Sequence, residues 1–186
     1  MSKRNRSNSR SGSADAGKKD ELIAGRQTVL EALRWGKPLR LLLSEGQRGA
    51  VIDQITGLTQ KKDIPCQVLS RAAFFELAGD IPGNQGVAAY VPPYRYRTFN
   101  EVIDLAKKDG QTPFIILLDH LEDPQNLGAV MRTADAAGVH GLIIPAQRAA
   151  GVTAAVRKVA SGASERIPVA QVSNLNWPAA QLKEAG

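Results

Sequence analysis

The chain contains little cysteine and histidine, and this shortage excludes two classes of site. Its 186 residues include one Cys and two His, which excludes an intrachain disulfide and a metal cluster built from Cys and His. Cys66 is interpreted as a buried, inert residue of the apolar stretch Pro65–Leu69. The motifs G-x-G-x-x-G and G-x-x-x-x-G-K-[ST] are missing, which argues against a nucleotide-binding dehydrogenase or an NTPase.

Long hydrophobic runs are also lacking. No apolar run approaches the roughly 20 residues that a membrane-spanning helix needs. The first residues are rich in Arg and Ser, as in a transit peptide, but no large apolar residue follows Met1 until Leu22. Such a start forms neither an amphipathic face nor a signal-peptide core, so we expect a cytoplasmic protein with no membrane partner.

The positive charge is concentrated at the start of the chain. Residues 1–20 hold six of the 24 basic and two of the 18 acidic side chains, which gives this segment +4 of the total +6. The segment is of low complexity, so we expect a disordered basic tail. Such a tail can speed association with nucleic acid through phosphate contacts, or it can be a solvated arm that only aids solubility. Charge alone leaves both possibilities open.

Residues 21–91 read as an α/β unit. Leu22, Val29, Leu30 and Leu33 have helical spacing, and the pattern breaks near Gly36. Further elements are expected along this unit: a strand at 39–43, a helix from Val51 to about 61, a strand at 65–69, a helix capped by Ser70 through Leu77, and a strand at 86–91.

Residues 92–97 interrupt this pattern. Pro92 and Pro93 fix an extended backbone, so we place a linker here. The interleaved Tyr94, Arg95, Tyr96 and Arg97 are able to stack on nucleic acid bases. A linker packed against its neighbours accounts for the same residues equally well.

Residues 98–186 read as a second α/β unit with a parallel sheet. Its elements are expected in this order: a helix at 99–108, a strand at 114–118, a helix at 124–137, a strand at 142–144, a helix at 153–160, a strand at 167–170 and a helix at 176–184.

The segment 123–138 joins the strand at 114–118 to the next helix. Asp123 can cap this helix, and Pro124 suits its first position because it lacks the N–H that would go unpaired. The turn places Asn126, Gly128 and Arg132 near the carboxyl end of a strand, where open α/β folds bind ligands. Helical spacing assigns Leu127, Val130, Met131, Ala134 and Gly138 to the buried face of the helix.

Arg132 admits two interpretations. It can form an ion pair with Asp135 on a solvated face, which contributes only a few tenths of a kcal/mol. It can also be a guanidinium poised for phosphate or ribose beside a glycine that allows close approach. Asn126 likewise has two interpretations, as a turn residue or as a ligand contact.

The string from Asp123 to Gly138 resembles the first signature motif of the SpoU/TrmH RNA 2′-O-methyltransferases. The matching residues are Asp123, Pro124, Asn126, Gly128, Ala129, Arg132, Thr133, Ala134, Asp135, Ala136 and Gly138. Lys158–Glu165 is similar to the next helix of that family, which ends in a Ser-Gly-Ala-x-Glu pattern. Gly25, Val29, Glu31, Ala32 and Leu33, with Gln85-Gly86-Val87, are similar to the start and end of its substrate-binding domain. The bacterial 23S rRNA guanosine-2′-O-methyltransferases are the branch that this chain resembles most.

The resemblance implies a ribosomal-protein-like α/β RNA-binding domain, a linker and an α/β-knot (SPOUT) methyltransferase domain. It implies S-adenosylmethionine as cofactor, RNA, in particular 23S rRNA, as partner, and a homodimer. Asn126 and Arg132 match the catalytic Asn and Arg of the family. The substrate-binding residues implied are Arg26, Gln27, Asn84, Gln85, Gly128 and Glu165. Gln27 stands where the family often has His or Asn, and Asn84 where it often has His; both retain hydrogen-bonding groups.

The second and third family motifs, a Gly-Glu-Gly-type loop and a Ser-Leu-Asn-type loop, lie further along the family's sequence than Gly186. We therefore expect a truncated methyltransferase domain, with the cofactor contacts outside this sequence. Two functions remain in competition: part of an RNA 2′-O-methyltransferase, or a module that binds RNA without catalysis.

Overall fold

The chain forms two α/β units, each built on its own sheet. The computed structural model describes residues 19–108, 110 and 112–184, so the tail expected at 1–20 lies almost entirely outside the described residues. The first unit contains β1 (Glu21–Ala24), α1 (Arg26–Trp35), β2 (Arg40–Ser44), α2 (Ala50–Lys61), β3 (Cys66–Leu69), α3 (Arg71–Ala78) and β4 (Val87–Val91). The second contains α4 (Phe99–Lys108), β5 (Ile115–Leu117), α5 (Pro124–Ala136), β6 (Gly141–Pro145), α6 (Ala154–Ala160), α7 (Ala163–Arg166), β7 (Val169–Val172) and α8 (Asn176–Glu184).

The first sheet is mixed. Its strand order is β1-β4-β2-β3, with β4 antiparallel to both neighbours and β2 parallel to β3. Alternate residues of β2 face opposite sides: Leu41 and Leu43 join the core under α1 and α2, and Leu42 joins the core under α3. The carboxyl ends of β1, β2 and β3 therefore meet at one edge of this sheet.

The second sheet is parallel, as expected from its alternating strands and helices. Its order is β5-β6-β7. Leu142 and Ile144 of β6 pack with α5 and α6, whereas Ile143 packs on the opposite face with α4 and α8. The sheet therefore carries helices on both faces and directs the start of α5 to the carboxyl end of β5.

Local signals predicted two of the helix starts. Ser70 Oγ accepts from Ala73 N at 3.3 Å, and Asp123 Oδ1 accepts from Gln125 N at 3.0 Å with Pro124 following. A further cap, at the start of α4, was not predicted from the sequence. Thr98 N donates to Glu101 Oε2 at 2.7 Å, and Glu101 N donates to Thr98 Oγ1 at 3.2 Å. These two hydrogen bonds hold the pKa of Glu101 below its ordinary value.

Three expectations were wrong. Leu22 lies in β1 rather than in the first helix, because Gly25, at φ 108°, ends the strand before Arg26 starts α1. Cys66 is exposed rather than buried, because β3 is the edge strand of its sheet. Gly138 is exposed beyond the end of α5 instead of lying on its buried face, and Val130 is only partly buried.

The linker at 92–97 packs against the second unit. Tyr94 Oη donates to Ile167 O at 3.3 Å, and Tyr96 Oη accepts from Val152 N at 2.7 Å. The two rings meet edge-to-face with centroids 5.1 Å apart and join the second core. The packed-linker interpretation fits this arrangement better than base stacking by the tyrosines.

A buried carboxylate joins the two units. Glu31 of α1, whose side chain is 7% exposed, accepts from Arg166 NH1 of α7 at 2.9 Å. It also accepts from Gln27, Arg34 and Trp35 at 2.9–3.0 Å. A second tie is made by Arg157 of α6, which pairs with Glu21 of β1 at 3.7 Å and donates to Pro92 O at 3.2 Å.

Helices α5 and α6 approach closely at Gly128. A Cβ built on Gly128 would lie 2.5 Å from Val159 Cβ and 3.0 Å from Val156 O. Only a residue without a side chain fits this crossing. The packing fixes the position of α5 relative to α6.

Replacing Glu31 by Ala is expected to lower the free energy of unfolding by about 1.5–3 kcal/mol, because a charge-assisted hydrogen bond is lost and buried donors remain. Urea unfolding measures the change. Glu76→Ala, at an exposed position of α3, is the control and should stay within about 0.5 kcal/mol of the parent. Equal stability of the two variants would contradict the role given to Glu31.

Gly128→Ala is expected to destabilise the chain by about 1–3 kcal/mol, because the added methyl group overpacks the α5–α6 crossing. Gly57→Ala is the matched control in the interior of α2, where an added Cβ meets nothing within 4 Å. That control should stabilise by about 0.5–1 kcal/mol through helix propensity. Denaturant midpoints that shift in the same direction for both variants would refute the packing argument.

Candidate functional site

The first candidate surface is the exposed side of α5. Asn126 lies in the first turn of this helix and is exposed, directly after the loop that follows β5. The unpaired N–H groups of a helix start carry partial positive charge and favour an anionic ligand. The same loop holds Asp119 and His120, both exposed, with Oδ1 and Nδ1 2.8 Å apart.

Arg132 is exposed one turn and a half further along α5. Among the described residues it forms no ion pair, so the first of its two interpretations, a pairing with Asp135, does not occur. Asp135 instead binds Arg166 of α7, whose Nε donates to its two oxygens at 3.0 and 3.1 Å and whose NH2 also pairs with it. These bonds raise the pKa of Arg166. The guanidinium of Arg132 therefore remains available to a ligand.

Asn126 and Arg132 do not share one narrow stripe of the helix. Six residues of α-helix turn the chain by about 240° and advance it by about 9 Å. A ligand that contacts both side chains must therefore extend across the middle of α5, whose 13 residues run from Pro124 to Ala136. Gly128, between them, is buried against α6, and its packing explains the glycine without a ligand.

The second candidate surface is the carboxyl edge of the first sheet. Arg26 N donates to Gln85 Oε1 at 3.2 Å, and Arg26 NH2 donates to Gln47 Oε1 at 2.7 Å. Arg26 Nε is buried and lacks a hydrogen-bond partner among the described residues. The structure thus brings together Arg26 and Gln85, which are 59 residues apart in the chain. Gln47 was not predicted as a site residue, because no local sequence pattern in the loop after β2 marks it as a partner of Arg26.

Two of the predicted substrate-binding residues are engaged by the protein itself. Asn84 Nδ2 donates to Ala78 O and Ile81 O at 3.2 and 3.1 Å, and its Oδ1 accepts from Gly86 N at 3.0 Å. Gln27 donates to Glu31 at 2.9 Å. Asn84 therefore shapes the loop that presents Gln85, and Gln27 supports the contact between the units.

Glu165 lines the cleft between the units. Its side chain, 15% exposed, pairs with Arg157 NH2 at 3.3 Å. It also approaches Gly36, where an added Cβ would lie 3.0 Å from Glu165 Oε2. The arrangement makes Glu165 a positioning residue for Arg157.

Three further observations concern metal ligands, membrane-spanning helices and the buried tyrosines. Within residues 19–108, 110 and 112–184, no group of three or more His, Cys, Asp and Glu is placed to hold a metal ion. In the same part of the chain, no helix combines the length and apolarity needed to cross a membrane. Burial raises the pKa of Tyr94 and of Tyr96, so both stay protonated near neutral pH and neither is suited to act as a base.

Comparison with known proteins gives the same two-part division. A family model described as RNA 2′-O ribose methyltransferase substrate binding matches residues 22–97. A model described as SpoU rRNA Methylase family matches residues 113–186. The boundary between the two matches falls after the packed linker.

Two relatives extend over most of the chain. The Bacillus subtilis protein YacO, by name a TrmH-family tRNA/rRNA methyltransferase, is 38% identical over 168 residues, which cover 89% of this chain and 66% of YacO. A protein of the same description from Staphylococcus aureus strain MSSA476 is also 38% identical, covering 90% of this chain and 67% of the relative. The chain thus spans about two thirds of the length of these curated relatives.

Solved structures share the fold. The AdoMet-bound rRNA methyltransferase from Sinorhizobium meliloti superposes with a TM-score of 0.67 at 20% identity, over 89% of this chain and 58% of that protein. The SpoU methyltransferase AviRb from Streptomyces viridochromogenes, in complex with AdoMet, gives 0.66 at 22% identity, over 90% and 62%. The fold predicted from the resemblance, an α/β substrate-binding part followed by a SPOUT-type part, is confirmed. Fold, family models and relatives agree, and the chain belongs to the SpoU/TrmH family of RNA methyltransferases.

Proposed function

We propose that this chain supplies the RNA-binding and ribose-orienting parts of an enzyme that methylates a ribose 2′-oxygen in RNA. The observation that carries the proposal is the state of Arg132. It is exposed on α5, and its potential partner Asp135 is occupied by Arg166. The substrate proposed is a guanosine of 23S rRNA, and the complete enzyme is proposed to act as a cytoplasmic homodimer.

Arg132 and Asn126 have separate roles in this proposal. A ribose hydroxyl is a poor nucleophile at neutral pH and needs activation. The guanidinium of Arg132 orients the target ribose-phosphate through paired N–H donors and stabilises the negative charge that develops on the 2′-oxygen as its proton passes to water. Asn126, at the helix start, holds the loop geometry and contacts the substrate.

The methyl group is proposed to come from S-adenosylmethionine, the ligand of the two solved relatives. Ligand sites in proteins enclose most of their ligand. Here the residues after β6 (146–148) and after β7 (173–174) are exposed, so the described residues do not by themselves enclose a cofactor. We therefore assign no cofactor contact to this chain and propose that the pocket uses the part of the longer relatives that these residues do not match.

A second candidate function is RNA binding without catalysis. The carboxyl edge of the first sheet, with the unpartnered Arg26 Nε, favours it. It requires neither Arg132 nor a cofactor. The two functions therefore differ in whether changes at Arg132 matter.

The test is a chimera in which residues 22–186 replace the matching segment of the Bacillus subtilis relative. With labelled S-adenosylmethionine and ribosomal RNA, we expect 2′-O-methylated nucleosides on digestion. Arg132→Ala should lower methyl transfer by about 10²–10³-fold, the cost of removing one donor to a developing oxyanion. Arg132→Lys should restore part of the rate, because lysine lacks the paired geometry.

Lys107→Ala, at an exposed position of α4, is the control and should keep the parent rate. Methyl groups found on bases rather than ribose would refute the 2′-oxygen assignment. RNA binding that persists in a chimera without transfer, whatever residue stands at 132, would favour the non-catalytic module.

Calorimetric titration of S-adenosylmethionine into the 186-residue chain tests the cofactor assignment separately. No stoichiometric binding to the chain and clear binding to the active chimera are expected. Stoichiometric binding to the chain alone would place the pocket within these residues and overturn our assignment.

A further inference from the structure

Basic side chains of the chain divide into paired and unpaired groups. Arg34, Arg97, Arg157 and Arg166 each form an ion pair with a carboxylate. By contrast, no ion pair within the described ranges involves the four cations that cluster near the carboxyl edge of the first sheet. We call these four residues the basic rim: Arg26, Arg48, Arg71 and Lys158.

Three members of the basic rim are linked through loop contacts. Gln47, the neighbour of Arg48, accepts a hydrogen bond from Arg26 NH2 at 2.7 Å. In the same loop, a Cβ built on Gly46 would lie 3.9 Å from Arg71 NH2. The loop after β2 therefore adjoins both Arg26 and Arg71, and the exposed Arg48 lies in that loop.

Lys158 joins this strip from the second unit. Its Nζ would lie 3.5 Å from a Cβ built on Gly83, in the loop that presents Gln85. Gln85 accepts from Arg26 N at 3.2 Å, so Lys158 and Arg26 flank the same loop. Gly83 has φ 65°, a backbone conformation that favours glycine.

The position of Lys158 is fixed relative to the first unit. The preceding residue, Arg157, has a side chain only 7% exposed and is tied to Glu21 and to Pro92 O. Lys158 itself is partly buried at the surface of α6. Its ammonium group is therefore held near the loop at 83–85 as part of the packed structure.

The chemistry of the basic rim suits a polyanion. Glu45 and Asp80 are the acidic residues of the adjoining loops, and neither forms an ion pair with a described residue. A row of free cations binds phosphates and releases counterions. The buried, unpartnered Nε of Arg26 points in the same direction, because an acceptor on a ligand would satisfy it.

The cleft between the units is less suited to that role. Its cavity of about 430 Å³ is lined by five basic residues: Lys37, Arg95, Arg97, Arg157 and Arg166. The last three are paired with Glu101, Glu165 and Glu31 in turn, so two of the five, Lys37 and Arg95, have no ion pair among the described residues. The basic rim, with four such cations, therefore carries more free positive charge.

We propose that the two units present one composite RNA surface, in which Lys158 of the second unit extends the basic rim of the first unit along the same RNA backbone. This inference rests on the proposed function for the identity of the ligand. It adds that substrate binding is not confined to the substrate-binding part of the chain. Arg48, Arg71 and Lys158 are its new residues.

The test is RNA binding by the 186-residue chain over a range of salt concentrations. The probe is a 30-nucleotide RNA hairpin of arbitrary sequence, with a polyglutamate peptide of equal charge as competitor. Lys158→Gln and Arg71→Gln should each reduce the slope of log affinity against log salt by about 0.7–0.9, the effect of one phosphate contact. The double variant should lose both increments, because the sites are separate.

Matched variants keep the test sharp. Lys61→Gln, at the far end of α2, removes one exposed charge away from the basic rim and should leave the slope unchanged. Lys158→Arg retains the charge and should bind like the parent. Equal urea midpoints of the parent and Lys158→Gln are expected, and they separate lost binding from lost folding.

The composite site would be overturned if Lys158→Gln bound RNA as well as Lys61→Gln does while Arg71→Gln bound it more weakly. The RNA surface would then end at the first unit. Tighter binding of polyglutamate than of RNA would overturn it in favour of an acidic protein partner. Neither result touches the formation of 2′-O-methylated nucleosides by the chimera, so failure here and failure of the proposed function are distinguishable.

Discussion

The orientation of the two units depends on the buried carboxylate of Glu31. It accepts hydrogen bonds from side chains of its own helix and from Arg166 of the second unit. The backbone makes room for it: a Cβ on Gly162 would lie 2.5 Å from Glu31 Cβ, and Gly162 has φ 91°. The segment 158–165, which resembles one helix of the family, is therefore divided between α6 and α7 at Ser161 and Gly162. That division directs Arg166 toward both Glu31 and Asp135.

This single arrangement also decides which arginines are available. Because Arg166 occupies Asp135, Arg132 has no carboxylate partner among the described residues and stays exposed. Arg157 is likewise held by Glu21 and Glu165, which leaves its neighbour Lys158 as the free cation of α6. Arg157 and Arg166, which have carboxylate partners, hold the units together, whereas Arg132 faces solvent. The chemistry proposed at Arg132 thus depends on a structural ion pair made elsewhere.

Sequence patterns predicted what is decided locally. The helix caps at Ser70 and Asp123 and most element positions follow from neighbours a few residues away, and the resemblance carried by the segment 123–138 identified the family. Contacts between residues far apart in the chain could not be predicted from these local patterns. Leu22 joins a strand because β1 pairs with β4, and Asp135 prefers Arg166, a residue 31 positions later. Arg26 and Gln85 meet across 59 residues, and Gln47 carries no local mark of its role.

The same contacts connect RNA binding to the proposed chemistry. A misplacement of about 1 Å at a reacting group can cost about 10²-fold in rate, so a bound RNA must be held rigidly relative to Arg132. The basic rim meets α6 at Lys158, and α6 is tied to the first unit through Arg157. Helix α6 in turn locks α5 through the close crossing at Gly128. A phosphate bound at the basic rim is therefore connected to Arg132 by packed helices, and the chemistry proposed at Arg132 depends on Gly128 for the position of α5.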